Sequence, residues 1–233
     1  MEKVVVLLRA EPPDDQWCER IRGPVADELL ELGIAGLAVN VRDGAVRDSL
    51  MTLTTLAPPV AAVVSIWTQQ SYGAQVAAAI ELLSGHCEQL AAYLVTESVP
   101  IAPPDRLGER TPGFANVALL RRPPELDRPT WLTRWQVDHT PVAIETQATS
   151  GYTQNVVVRA LTPDAPAIDG IVEELFPDAA TTDLHAFFGA ADDADLHDRM
   201  TRMVASTSAF GATDNIDTVP TSRYLLRSAF TTS

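Results

Sequence analysis

The sequence predicts an α+β protein made of two tandem βαββαβ halves that close on each other into a barrel-like unit. Three observations carry this reading. The order strand, helix, strand, strand, helix, strand occurs once before about residue 100 and again from Gly113. Local details recur in step: Leu7-Leu8-Arg9 with Pro12-Pro13 returns as Leu119-Leu120-Arg121 with Pro123-Pro124, and Pro24-Val25-Ala26 returns as Pro141-Val142-Ala143. A period of this length exceeds any solenoid repeat and fits duplication of a small domain. Finally, Val4–Leu8, Val60–Ile66 and Val117–Leu120 are nearly continuous apolar runs. A sheet with one wet face alternates polar and apolar residues, so continuous runs mean that both faces are covered. Two helices cover one face of each four-stranded sheet, and the other half's sheet is the available cover for the second.

In order, the first strand is predicted over Lys3–Arg9 and a helix from an Asp14 N-cap to Leu32, stopped by Gly33. A strand at Leu37–Val41 and an Asp43-Gly44 turn follow. The strand Val60–Thr68 leads to a helix over Gly73–Tyr93 and a strand over Leu94–Pro100. The proline-rich stretch 101–112 reads as a linker between a half at 1–100 and a half at 113–233. The second half opens with a strand at Phe114–Arg121 and a helix from Asp127 to Gln147, with Pro129 in its first turn. Strands at Tyr152–Ala160 and Ile168–Phe176, a helical region over Thr182–Phe210 and a strand at Ser222–Arg227 complete it.

Composition narrows the partners. With 46% hydrophobic and 21% charged residues the 233-residue chain is ordinary globular protein. A net charge of -14 argues against nucleic acid and anionic membrane surfaces, and no apolar run is long enough to span a bilayer. The start, Met1-Glu2-Lys3 followed by an apolar strand, has no basic leader. Cys18 and Cys87, both expected on helices, then read as reduced thiols of a cytoplasmic protein.

The helix that opens the second half carries the chemistry. Trp131, Trp135, His139 and Val142 fall on one helical stripe. Such a stripe is usually packing, and the tryptophans read first as bulky core. His139 stands apart because Pro141 lacks an N–H, which frees the carbonyl near Val137 and pushes Thr140 away from helical geometry. An imidazole beside a broken turn is suited to proton transfer near neutral pH, or to a structural role. Tyr152 and Gln154 share one strand face and Asn155 takes the other. Asp169 and Glu173 share a face and are candidates to orient a histidine, against the plainer reading as solvated carboxylates. Asp183-x-His185 and Asp195-x-His197 lie in an acidic helical region without zincin spacing, so no metal is expected. Nucleotide-binding glycine motifs, a P-loop, a Gly-x-Ser-x-Gly elbow and a CxxC are all missing.

The stretch Trp135-Gln136-Val137-Asp138-His139-Thr140-Pro141-Val142-Ala143, with Gly151-Tyr152-Thr153-Gln154-Asn155 after it, resembles the hallmark of the EthD family, named for ethyl tert-butyl ether degradation. Asp169–Glu173, Phe210 and the closing strand at Arg223–Arg227 also fit, so the resemblance spans about Phe114–Arg227. It implies a ferredoxin-like α+β fold of the dimeric α+β barrel superfamily, here closed within one chain as a pseudo-dimer. It further implies a small-molecule pocket, with His139 as candidate catalytic acid or base and Trp131, Trp135, Tyr152, Gln154 and Asp169 as candidate substrate-binding residues. The first half departs from the pattern, with Arg22 where His139 stands and Gly23 where Thr140 stands, so one site per chain is expected.

Superfamily relatives include cofactor-free monooxygenases, lactone isomerases, polyketide cyclases and haem enzymes, and fold does not choose among them. No cofactor is predicted, and haem stays open. Two functions are carried forward. One is an enzyme acting by His-assisted proton transfer on a small apolar, aromatic or polyketide-like compound. The other is a non-catalytic binding or accessory protein using the same pocket, in either case as a monomer with an internal pseudo-dimer or as a homodimer.

Overall fold

In the computed structural model the apolar runs become the staves of a closed eight-stranded barrel. Residues 1–11, 14–104, 106–213 and 215–230 are described, so Pro12-Pro13, the first-half member of the recurring proline pair, lies outside the described residues. The first half contains β1 (Glu2–Arg9), α1 (Asp15–Arg22), α2 (Pro24–Glu31), β2 (Gly36–Val41), β3 (Val60–Thr68), α3 (Ala74–Ser84) and β4 (Gln89–Ile101). The second contains β5 (Phe114–Leu120), α4 (Arg128–Leu132), a π-helical turn (Thr133–His139), α5 (Thr140–Thr146), β6 (Gly151–Ala160) and β7 (Gly170–Phe176). A 3₁₀ turn (Asp178–Thr181), α6 (Leu184–Phe188), α7 (Asp193–Ser208) and β8 (Ile216–Arg227) complete it.

The strand order is β1-β3-β2-β8-β5-β7-β6-β4, closed on itself. Each half supplies four consecutive staves, and β2–β8 and β4–β6 are the antiparallel seams between halves. Closure leaves no unpaired edge. It also explains the continuous apolar runs: one face of each strand meets helices and the other meets the barrel interior. Val4, Val6 and Leu8 pack outward among Val25, Leu29, Val76 and Leu83. Val5 and Leu7 point inward among Val63, Tyr93, Leu119, Ile171 and Val219. One end of the interior is polar instead, with a Lys3–Glu97 ion pair at 2.6 Å and an Arg223–Glu173 pair at 2.8 Å.

Several elements differ from expectation. The long first helix breaks into α1 and α2 at Gly23, because Pro24 removes a donor and the Gly23 backbone leaves the helical region. The second half interrupts its first helix at the equivalent point, before Pro141, but there as a π turn. Thr140 therefore stays helical, at φ -53° and ψ -46°, instead of being pushed out. It is buried, accepts from the Gln154 amide at 2.8 Å and donates to the Trp135 carbonyl, and these contacts override the local preference imposed by the proline. The helix expected to reach Tyr93 ends at Ser84, and Leu90–Tyr93 join β4 because their partners on β1 sit opposite them. Cys87 thus lies after α3 and not on a helix, while Cys18 is buried on α1.

The connection between the halves is laid against β8 over residues 108–111. The Gly108 N–H bonds the Leu225 carbonyl at 2.7 Å and the Thr111 N–H bonds the Arg223 carbonyl at 2.8 Å. Among the described residues no helix is long and apolar enough to cross a membrane.

Candidate functional site

The helix carrying His139 lies over the outer face of β5, β7 and β6. Asp127 caps α4 by accepting from the Thr130 N–H at 2.8 Å, and Pro129 occupies the first turn. Four residues of an α-helix overshoot a full turn by about 40°. The wider π turn counteracts this drift and keeps Trp131, Trp135 and His139 directed at the sheet; such turns recur at functional sites. The tryptophan rings meet at 4.9 Å and both are fully buried. They reach the sheet because Gly170 has no side chain: a Cβ there would lie 2.6 Å from the Trp135 ring.

Between these helices and the sheet is a cavity of about 400 Å³. His139, Trp135, Tyr152, Asn116, Glu174 and Gln147 supply its chemistry, and residues such as Val172, Phe187, Met203 and Phe210 its apolar walls. Strand register builds the polar part. Asn116 on β5 pairs with Glu174 on β7, and Glu174 pairs with Tyr152 on β6, so the three form one rung across adjacent strands. The equivalent rung of the first half is Val4, Ile66 and Leu37, all fully buried in an apolar core. The duplicated cavity is filled in one half and polar in the other.

Three buried oxygens, Asn116 Oδ1, Glu174 Oε1 and Gln147 Oε1, have no hydrogen-bond partner in the protein. Buried polar atoms are nearly always partnered, so their convergence on one cavity indicates a place for a ligand or water. Burial pushes the Glu174 carboxyl up to about 7 and pulls the His139 imidazole down to about 4. Burial also holds the Tyr152 phenol well above its ordinary range. Near neutral pH the cavity therefore holds a neutral imidazole, a neutral phenol and a carboxyl that readily exchanges its proton. His139 Nδ1 is tied to Ser206 Oγ at 2.9 Å, and its ring rests on Phe210 at 4.9 Å.

The candidates named from sequence separate into groups. His139, Trp135 and Tyr152 line the cavity. Gln154 stands behind it, bonded to Thr140 and, at 3.4 Å, to the Tyr152 hydroxyl. Trp131 is core, its indole N–H bonded to the Phe210 carbonyl. Asp169 is not brought to the cavity: it accepts from the Arg122 backbone N–H at 2.9 Å and faces Arg128 at 3.8 Å. Glu173 points into the barrel, bonded to Arg223 and Asn40. Sequence reasoning named Glu173 and not Glu174, and did not name Asn116 or Gln147. The available signal was the Glu173-Glu174 doublet itself, since adjacent strand residues face opposite sides and both sides here are covered.

Residues 123–201 match the EthD domain. The matched stretch carries His139, Gln147, Tyr152 and Glu174 but neither Asn116 nor Ser206. Among curated proteins none matches the sequence. Solved structures resemble the whole chain at low identity. A candidate monooxygenase from Lactobacillus acidophilus NCFM aligns with a TM-score of 0.50 at 9% identity, covering 97% of this chain and 95% of that one. An anthrone oxidase-like protein aligns at 0.54 and 8%, covering 100% and 96%. A candidate chlorite dismutase aligns at 0.50 and 11%, covering 98% and 96%. These likenesses establish the fold, a dimeric α+β barrel with tandem ferredoxin-like halves, and the stretch similar to the EthD domain lies in the second.

Haem, left open by the sequence, is poorly served by the residues around this cavity. His139 is a potential axial ligand, but no Lys or Arg lines the cavity to meet the propionates, and Glu174 adds a further acid. The residues present do not fit that group. No cluster of three metal-ligating side chains occurs among the described residues.

Proposed function

We propose that the protein is an enzyme that binds a small, neutral, largely apolar or aromatic molecule in the EthD cavity and moves a proton on it. The observation that carries this is the Asn116–Glu174–Tyr152 rung, with its unpartnered oxygens, sharing with His139 a largely apolar cavity that no Lys or Arg lines. Cation-free walls disfavour an ionised acid as ligand, whereas amide and carboxyl groups suit hydroxyl and carbonyl substituents.

His139 is the base in this reading, neutral across the physiological range and oriented through Nδ1 by Ser206. It removes a proton from a carbon next to a carbonyl. Glu174, protonated in a large fraction of molecules near pH 7, donates its proton to the developing oxyanion, and Tyr152 adds a hydrogen bond. The imidazolium and carboxylate so formed share one cavity and offset each other's burial. His139 then delivers its proton to a different carbon of the substrate while the Glu174 carboxylate takes its proton back from the enol oxygen, which isomerises the substrate and restores both groups. Nothing in this scheme calls for a cofactor.

The test is a thermal-shift screen of phenols, lactones and polyketide-like aromatics, with His139→Ala alongside, since stabilisation follows affinity. The expected result is a ligand that is turned over by the wild type and still bound, but not converted, by the variant. Unchanged turnover in His139→Ala refutes the base. Binding without any turnover in the wild type leaves a ligand-binding or accessory protein.

A further inference from the structure

We propose that the first half, which has lost its own cavity, determines which ligands the second half accepts, through a wall formed by Leu50–Leu53. This rests on the reading of the EthD cavity as a small-molecule site. Leu50, Met51, Thr52 and Leu53 line that cavity although they belong to the other half of the chain. They sit in the connection between β2 and β3, which spans residues 42–59, eighteen residues. The corresponding connection of the second half, 161–169, has nine. The extra length is spent crossing to the second half.

Ser49 and Arg42 of the first half hold Met51 and Thr52 locally, and the bonds that anchor the wall across the seam go to second-half residues, most of them through the main chain. The Leu50 N–H bonds the Thr181 carbonyl at 3.0 Å. Leu53 and Thr218 exchange both backbone bonds, at 3.1 and 2.8 Å, and the Thr218 hydroxyl donates to the Met51 carbonyl. Just beyond, Asp217 accepts from the Thr55 and Leu56 N–H groups and pairs with Arg121 at 2.6 Å. The wall is thus preformed. Its leucine side chains make none of these bonds and remain 60% and 45% exposed at Leu50 and Leu53. Two exposed leucines on the rim of an apolar cavity offer surface to whatever projects from it.

The position of the wall decides what it senses. Leu53 bonds β8, whereas Glu174 and Tyr152 lie on β7 and β6. The order β8-β5-β7-β6 puts three strand spacings, about 14 Å, between the wall's strand and that of Tyr152. A single ring held by Tyr152 and Glu174 does not reach Leu53. A ligand several rings long does.

The experiment compares phenol, 2-naphthol and 2-hydroxyanthracene by titration calorimetry on the wild type, Leu50→Ala/Leu53→Ala, and Glu174→Leu. Because the anchors are backbone bonds, the double variant is expected to fold, with its urea midpoint as the check. Loss of the leucine contacts should weaken 2-hydroxyanthracene by about tenfold and leave phenol unchanged. Leu53→Phe, which narrows the rim, should instead reject 2-hydroxyanthracene and keep phenol. Equal effects of the wall variants on all three probes, or none while Glu174→Leu abolishes binding, overturn the wall but leave the cavity's role intact. Failure of every probe to bind the wild type overturns the cavity reading and the wall with it.

Discussion

Replacing Glu174 by Gln tests the electrostatics of the cavity independently of any ligand. Glutamine keeps the shape and a hydrogen-bonding tip but removes the titration. A carboxyl at about 7 in the fold, against its ordinary value of 4.5, means the folded protein binds the proton more tightly than the unfolded chain does. Its contribution is therefore fully present below pH 4.5 and is lost as the pH rises to about 7. At 1.36 kcal/mol per pH unit the loss is about 3 kcal/mol, an upper value because Glu174 faces a cavity that admits water. His139 acts in the opposite sense. Its imidazole falls from 6.5 to about 4 on folding, so stability is lost as the pH drops from about 6.5 towards 4. Between about pH 4.5 and 6.5 the two slopes cancel in the wild type. Urea unfolding of the wild type and Glu174→Gln from pH 4.5 to 8 should show curves that diverge with pH. The variant should be the more stable by up to about 3 kcal/mol at pH 8 and no more stable at pH 4.5. Parallel curves would refute the assignment of Glu174 as a raised, desolvated acid.

Three further outcomes are expected. His139→Phe, which preserves the ring against Phe210 but loses the Ser206 bond, should be stabilised relative to wild type at pH 4.5 and lose about 1 kcal/mol at pH 8, read by the same unfolding series. Gly170→Ala should cost about 1–3 kcal/mol and alter the near-ultraviolet dichroism of the tryptophan pair, because its Cβ would lie 2.6 Å from Trp135 and 3.2 Å from Trp131; an unchanged spectrum would refute that packing. Asp217→Ala should destabilise by about 3 kcal/mol, since it strands Arg121 and the Thr55 N–H. Burial raises the Asp217 carboxyl, but the Thr55 and Arg121 bonds outweigh it and hold it below its ordinary range. Its contribution is then present above pH 3.8 and fades below, so the wild type and Asp217→Ala should converge in acid.

Much of the fold was legible because its signals are local. The apolar runs of β1, β3 and β5 declared two covered faces, and the recurring Leu-Leu-Arg and Pro-Val-Ala placed the duplication. Helix ends were less legible: whether Leu90–Tyr93 extend α3 or join β4 depends on β1 lying opposite. His139 stood out by its type and by Pro141. Glu174 did not, because only side-chain direction separates it from Glu173, and that follows from pairing with Asn116 and Tyr152.

By itself the sequence determined two βαββαβ halves, their closure, and the helix that carries His139, because periodicity and apolar content are properties of consecutive residues. Tertiary structure decided the rest. Interstrand register brought Asn116, Glu174 and Tyr152 into one rung while making its duplicate wholly apolar. Barrel closure then carried Leu50–Leu53 across the seam to wall the other half's cavity. Both depend on contacts between residues far apart in the chain, which no local pattern encodes.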